Sequence, residues 1–150
     1  MSRFLGNISA PLTMDRVVLD TNCLLASISK RGQYFGIWEG LQRGTYTLCV
    51  SNEILEEYHE IIGRKTDDLI AMNIIQTLLN SPNVELITPY YHFRLIEADP
   101  DDNKFVDCAI AANAIFIVSE DSHFKVLQTV KFPKITVIRL RQFLEYLQKL

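Results

Sequence analysis

Four carboxylates stand where they could do chemistry together: Asp20, Glu57, Asp102 and Asp121. Asp20 ends the apolar, mostly β-branched run Val17-Val18-Leu19, which reads as a strand buried on both faces. In an open parallel sheet the crevice at the carboxyl ends of the strands is where ligands bind, so an acid at that position is a candidate for chemistry. Asp121 follows a second such run, Ile115-Phe116-Ile117-Val118. Asp102 lies in the first turn of the helix that leads into that run, and a crossover helix begins near the edge at which its strand will end. Glu57 falls six residues into a helix after the strand Thr47-Leu48-Cys49-Val50, roughly 9 Å along its axis. At 100° per residue it flanks the apolar stripe Ile54, Tyr58, Ile61 and Ile62, whereas Glu56 and Glu60 face away.

Ionised carboxylates gathered in one cleft repel one another by several kcal/mol unless a cation neutralises them. A set that offers oxygen and no thiolate suits a hard ion, Mg²⁺ or Mn²⁺. Such an ion lowers the pKa of a water and stabilises a leaving oxygen, which suits hydrolysis of a phosphodiester. Each acid also has a plainer reading. Asp20 and Asp121 could be turn residues, Glu57 a solvated helix acid, and Asp102 part of a charged helix start. For Asp99 and Asp101 we adopt that plainer reading, as N-cap and first-turn acids around Pro100.

The elements that must position these acids alternate. A short helix with Leu24, Leu25 and Ile28 follows Asp20, and an amphipathic helix from Tyr34 ends at Gly44. Ser51 is the expected N-cap of the Glu57 helix, and another helix spans Asp67 to Leu79. Val84 to Ile87 reads as a third strand, Thr88 to Ala98 as an irregular connection, and Ile135 to Ile138 as a fifth strand. Leu140, Phe143, Leu144 and Leu147 form a closing helix. Strands alternating with helices predict an α/β fold, a three-layer sandwich around a parallel sheet of about five strands. Residues 14–150 form one domain in this reading, with residues 1–13 as an extension.

Composition narrows the field only partly. With 48% apolar residues the chain has material for a core, and 15 basic against 18 acidic residues do not mark a nucleic-acid binder. Acids clustered around divalent cations would make the local surface more positive than that count. Cys23, Cys49 and Cys108 lie in apolar runs without metal-type spacing, which points to a reducing, cytoplasmic setting. No run of about eighteen apolar residues marks a membrane span, and residues 1–13 do not read as a secretory signal.

Val17-Val18-Leu19-Asp20-Thr21-Asn22, then Ser51 to Tyr58, then Asp99-Pro100-Asp101-Asp102-Asn103-Lys104-Phe105, then Val118-Ser119-Glu120-Asp121 resemble the four acidic motifs of PIN-domain proteins. The likeness covers nearly everything from Met14 onward. It is nearest to the bacterial group of toxin components of toxin–antitoxin pairs, the VapC-like ribonucleases. The resemblance implies a PIN fold, a Mg²⁺- or Mn²⁺-dependent endoribonuclease, an RNA substrate and an antitoxin protein as partner, and it leaves a homodimer open. It maps the metal-binding acids onto Asp20, Glu57, Asp102 and Asp121, with Thr21 and Asn22 as polar helpers. Asp107 competes for the third place because Asp107-Cys108-Ala109-Ile110-Ala111-Ala112 also resembles a motif of some relatives. Asp102 is preferred, since its nineteen-residue step to Asp121 leaves room for a helix and a strand, where fourteen from Asp107 make the helix start late. Asp107 and Asn103 are then candidates for a supporting role, and Lys104 and His123 for substrate contact; His59 and His92 are weaker candidates.

Two other functions share parts of this pattern. Haloacid-dehalogenase-type phosphatases also open with an apolar strand and Asp, but carry a second Asp two residues on, where this chain has Asn22. A non-catalytic PIN-like module for protein interaction or RNA tethering is the alternative from a different class.

Overall fold

The computed structural model describes residues 14–150, so the expected extension over residues 1–13 lies outside the described residues. Five strands, β1 (Arg16–Leu19), β2 (Thr47–Val50), β3 (Val84–Leu86), β4 (Phe116–Val118) and β5 (Val137–Ile138), form one sheet in the order β3-β2-β1-β4-β5. Every pairing is parallel. Successive strand residues point to opposite faces, yet Val17, Val18 and Leu19 are all fully buried, so both faces of the sheet are covered and β1 is the middle strand of the central layer of a three-layer sandwich.

The helices are α1 (Thr21–Ser27), α2 (Phe35–Arg43), α3 (Asn52–Lys65), α4 (Asp68–Asn80), α5 (Asn103–Ala112) and α6 (Leu140–Gln148). Their ends follow local chemistry. The Ser51 hydroxyl accepts from Ile54 N at the start of α3, and the Asp67 carboxylate accepts from Ile70 N at the start of α4. Gly44 closes α2 at φ 77°, a left-handed turn that glycine adopts without steric cost. The helix expected from Pro100 begins as a single 3-10 turn, Pro100–Asp102, capped by Asp99, before α5 proper. A longer 3-10 segment, Ser122–Thr129, follows Asp121 and was not visible as an element in the sequence. Among the described residues no helix is long and apolar enough to cross a membrane.

The strand order reverses between β1 and β4. The chain steps outward from β1 through β2 to β3, then returns by α5 to β4 on the other side of β1. Such a switch point leaves a crevice at the carboxyl edge, because the connections leaving the two neighbouring strands diverge. The register pairs Leu19 with Val118, so the residues that emerge side by side at that crevice are Asp20 and Ser119.

Buried polar groups tie the layers. Asn83 donates through its side-chain amide to Leu41 O at 2.7 Å and Tyr46 O at 2.8 Å, joining the turn before β3 to the end of α2. The fully buried Tyr58 of α3 donates to Leu19 O, the last carbonyl of β1, at 2.6 Å. Replacing Tyr58 by Phe keeps the ring and removes this bond, so we expect a loss of about 1 to 2 kcal/mol in unfolding free energy, read from urea denaturation, with a native circular-dichroism spectrum.

Candidate metal centre

Asp20 is buried at the head of α1 and is fully engaged. Its Oδ1 accepts from Cys23 N at 2.9 Å, and its Oδ2 accepts from the Ser119 hydroxyl. Ser119 in turn accepts from Asp121 N at 3.0 Å, so one hydroxyl links the acid after β1 to the acid after β4. Burial pushes the Asp20 carboxyl above its ordinary value against the pull of these hydrogen bonds, and the neighbouring Asp121 charge adds to the rise.

Glu120 fixes the strand-end loop from its other side. It accepts from Leu140 N at 2.8 Å and pairs with Arg139 at 2.9 Å, which holds the loop to the start of α6. Asp121 is thereby set facing the N-terminal turns of the α5 segment.

Asp121 meets Asp99, Asp102 and His123 there. One ligand atom from each of these four side chains lies within 4.8 Å of all the others. His123 Nδ1 is 3.3 Å from Asp121 Oδ1, 3.6 Å from Asp102 Oδ2 and 3.9 Å from Asp99 Oδ2. Asp102 Oδ2 is a buried acceptor with no hydrogen-bond donor among the described residues, so that oxygen has lost water and gained no protein partner. Burial raises the Asp102 carboxyl to about 7; the Asp121 and Asp99 charges push the same way and His123 opposes them. An orphaned, half-buried carboxylate among other oxygens and one imidazole is a donor set that a hard divalent cation fits.

Glu57 stands outside this group of four. It accepts from the Thr21 hydroxyl on one oxygen, and on the other it pairs with Lys104 Nζ at 2.6 Å. Burial lowers the Lys104 pKa, but the Glu57 hydrogen bond and charge outweigh it and the ammonium is held more firmly protonated than usual. Thr21 follows Asp20 directly, and Tyr58 follows Glu57, so the Tyr58–Leu19 bond and the Thr21–Glu57 bond fasten the same two chain segments.

Of the sequence candidates, then, Asp102, Asp121 and His123 share one cluster, Asp20 joins it through Ser119, and Glu57 and Lys104 form an ion pair beside it. Asn22 is exposed on α1. Asp107 is turned elsewhere: its Oδ1 accepts from Phe93 N at 3.0 Å and its Oδ2 lies 3.2 Å from His92 Nδ1. Asn103 spends its amide on both backbone groups of Ile96, each at 2.9 Å. Both residues therefore anchor the connection between β3 and α5. The sequence makes Asp99 a helix cap. It does cap, accepting from Asp101 N at 3.2 Å through Oδ1, while Oδ2 faces His123. Ser119 and Asp99 carry no signal of their own in the sequence, since serine after a strand and aspartate before proline are ordinary turn and cap residues.

The sign of the Asp102 shift gives a test. Its folded pKa of about 7 lies above the ordinary 3.8, so across that interval the native state holds a proton that the unfolded chain has released. In EDTA, stability should therefore fall as pH rises from about 4 to about 7, and Asp102→Asn should flatten this slope. Mg²⁺ should raise the melting temperature more at about pH 8 than at about pH 5, because the ion binds the deprotonated acid. Thermal melts over this pH range, with and without Mg²⁺, check both.

Comparison with known proteins agrees with this architecture. The chain is similar to a chain of VapBC2 from Rickettsia felis bound to a DNA fragment from their promoter: 18% identity, TM-score 0.59, covering 83% of this chain and 98% of that one. It is similar to a chain of DNA-bound VapBC from Salmonella typhimurium at 17% identity and TM-score 0.57, covering 85% and 99%. The PIN domain endonuclease Utp24 gives 17% identity and TM-score 0.50, covering 83% and 84%. No curated protein matches in sequence. The family model described as PIN domain matches residues 16–123. That match runs from the first residue of β1 to two residues past Asp121 and spans every acid described above, and the chain belongs to the PIN domain family.

Proposed function

We propose that this protein is a divalent-metal-dependent endoribonuclease and the toxin of a toxin–antitoxin pair, acting in the cytoplasm. The observation that carries the reading is the convergence of Asp99, Asp102, Asp121 and His123 at the switch-point crevice, with Asp102 Oδ2 buried and without a donor. PIN-family membership and the likeness to a PIN domain endonuclease support the nuclease reading, and the likeness to VapBC complexes supports an antitoxin partner.

Asp102 and Asp121, with Asp20 beside them, would hold Mg²⁺ or Mn²⁺. The ion supplies a Lewis acid that lowers the pKa of a water and stabilises the leaving oxygen of a phosphodiester. The remaining work falls to the chain. Ser119 fixes the orientation of Asp20 by donating to Oδ2, and the Cys23 amide fixes Oδ1, so this carboxylate is set before substrate arrives. Glu57 keeps Lys104 charged at the edge of the cleft, where the ammonium can meet a phosphate. His123 is half exposed against three carboxylates and is placed to pass a proton to a departing oxygen.

The test is cleavage of a panel of labelled RNAs in Mg²⁺, Mn²⁺ or EDTA. Cleavage should need the metal, and Asp20→Asn, Asp102→Asn or Asp121→Asn should each lower its rate by at least about a hundredfold while the protein stays folded. Folded protein that binds Mg²⁺ and cuts no RNA would instead favour a non-catalytic PIN-like module.

A further inference from the structure

The connection between β3 and α5, residues 87–99, has no regular secondary structure and leaves the sheet at the same carboxyl edge as Asp20 and Asp121. It is nonetheless held firmly. Asp107 accepts from Phe93 N and approaches His92, and Asn103 pairs with both backbone groups of Ile96. Two buried or half-buried polar side chains of α5 are thus spent on shaping one surface segment.

That segment exposes what folding usually hides. Tyr90 is 92% exposed and Tyr91 66% exposed, with the Tyr91 ring edge-on to Phe93, their centroids 4.5 Å apart. Arg94 follows at φ 54°, a left-handed conformation that costs a non-glycine residue energy and that the anchors on either side impose. Among the described residues the Arg94 guanidinium makes no ion pair. Arg94 and His92 line a cleft of about 520 Å³ whose other wall carries Lys104, the residue paired with Glu57 beside the acidic cluster. Acids line this cleft as well, Glu53, Glu97, Asp101 and Asp107, and the charges of Glu53, Glu57 and Asp101 act on Lys104.

The geometry points to this segment as a platform for single-stranded RNA, with Tyr90 and Tyr91 stacking on unpaired bases and Arg94 and His92 meeting the phosphates that lead toward Lys104. The inference rests on the nuclease reading for its biological sense, but not for its test. Exposed aromatic rings interleaved with cations are the means by which proteins hold single strands without reading their sequence, because every base offers a flat face and every nucleotide a phosphate. A duplex keeps its bases stacked on one another and offers the tyrosines nothing. A protein partner would be served by the same apolar rings, but it would not call for a strained arginine and a carboxylate-oriented histidine opening into the acidic cleft.

The experiment is fluorescence anisotropy with a labelled oligouridylate and a labelled RNA duplex of equal length, with Ca²⁺ replacing Mg²⁺ so that the strand stays whole. The native chain should bind the single strand more tightly than the duplex. Tyr90→Ala with Tyr91→Ala should weaken single-strand binding about tenfold or more, Tyr90→Phe with Tyr91→Phe should restore it, and Arg94→Gln should weaken it and flatten its salt dependence. Equal binding of both RNAs, or single-strand affinity unchanged by the double alanine variant, overturns the inference. So does a change of oligomeric state in that variant, by light scattering, without loss of RNA affinity, since the surface would then be a protein interface. The two readings fail separately: strand binding that depends on the tyrosines, in a protein that cuts no RNA, supports the platform and removes the nuclease. Metal-dependent cleavage indifferent to the tyrosines does the reverse.

Discussion

The hydrogen bond from the Tyr58 phenol to Leu19 O sits where the two demands on this protein meet. β1 must be apolar on both faces to occupy the centre of the sheet, and it ends in a carboxylate at the crevice. The last carbonyl before Asp20 therefore lies between a dry core and a charged edge. A fully buried tyrosine from α3 covers it, so the strand end, the start of α1 and the middle of α3 are fixed to one another. Glu57 owes its position to this bond, being the residue before Tyr58, and Thr21 owes its reach to Glu57 to the turn that begins at Asp20.

Around that fixed point the acids divide by how they are satisfied. Asp20 and Glu57 have donors: the Cys23 amide and Ser119 for one, Thr21 and Lys104 for the other. Asp99 and Asp121 each accept one backbone N–H, from Asp101 and His123, and otherwise face each other, the His123 ring and the unpartnered Asp102 Oδ2. Lys104 acts as a built-in counterion for one end of the crevice, and among the described residues no lysine or arginine pairs with the acids at the other. Left alone, that end lowers its charge by keeping a proton on Asp102, which is what a pKa of about 7 means physically. A cation would take the place of that proton. The asymmetry distinguishes a site that needs an added charge from a salt-bridge network that is complete in itself.

Much of this was legible in the sequence, for identifiable reasons. Parallel strands buried on both faces are short apolar runs with sharp ends, so Val17-Val18-Leu19 and Phe116-Ile117-Val118 announced both the sheet and the acids that follow it. Helix ends announced the helices, because Ser51 and Gly44 do locally what a hydroxyl, or the lack of a side chain, allows. Three things were hidden. Asp99 looks the same whether it caps a turn or also faces a cation, since both uses ask for a carboxylate before Pro100. The 3-10 segment after Asp121 buries only Phe124 and Leu127, too short a pattern to show that it brings His123 back onto Asp121. The Lys104–Glu57 pair joins residues 47 apart in sequence and exists only because α5 and α3 meet above the sheet edge. Asp107 shows the limit most plainly. Its motif resembled a ligand's, but its partners are His92 and Phe93, and only the fold could reveal that a helix acid of this type was spent on holding a loop.

The formal charge of −3 takes on a different meaning once the acids are located. Whole-chain charge describes long-range attraction to a polyanion only when the charges are spread over the surface that the polyanion meets. Here Asp20 is buried and hydrogen-bonded, Asp102 is largely enclosed, and Glu57 is matched by Lys104, so several of the acids counted in that total do not project a free negative charge into solvent. Arg94, by contrast, is exposed, and so is most of His92. An acidic isoelectric point and an edge that can receive a phosphate chain are therefore compatible, provided the residual charge in the crevice is met by a divalent ion. Several of the acids that make the composition look unsuited to nucleic acid are thus those whose burial or pairing keeps their charge from solvent.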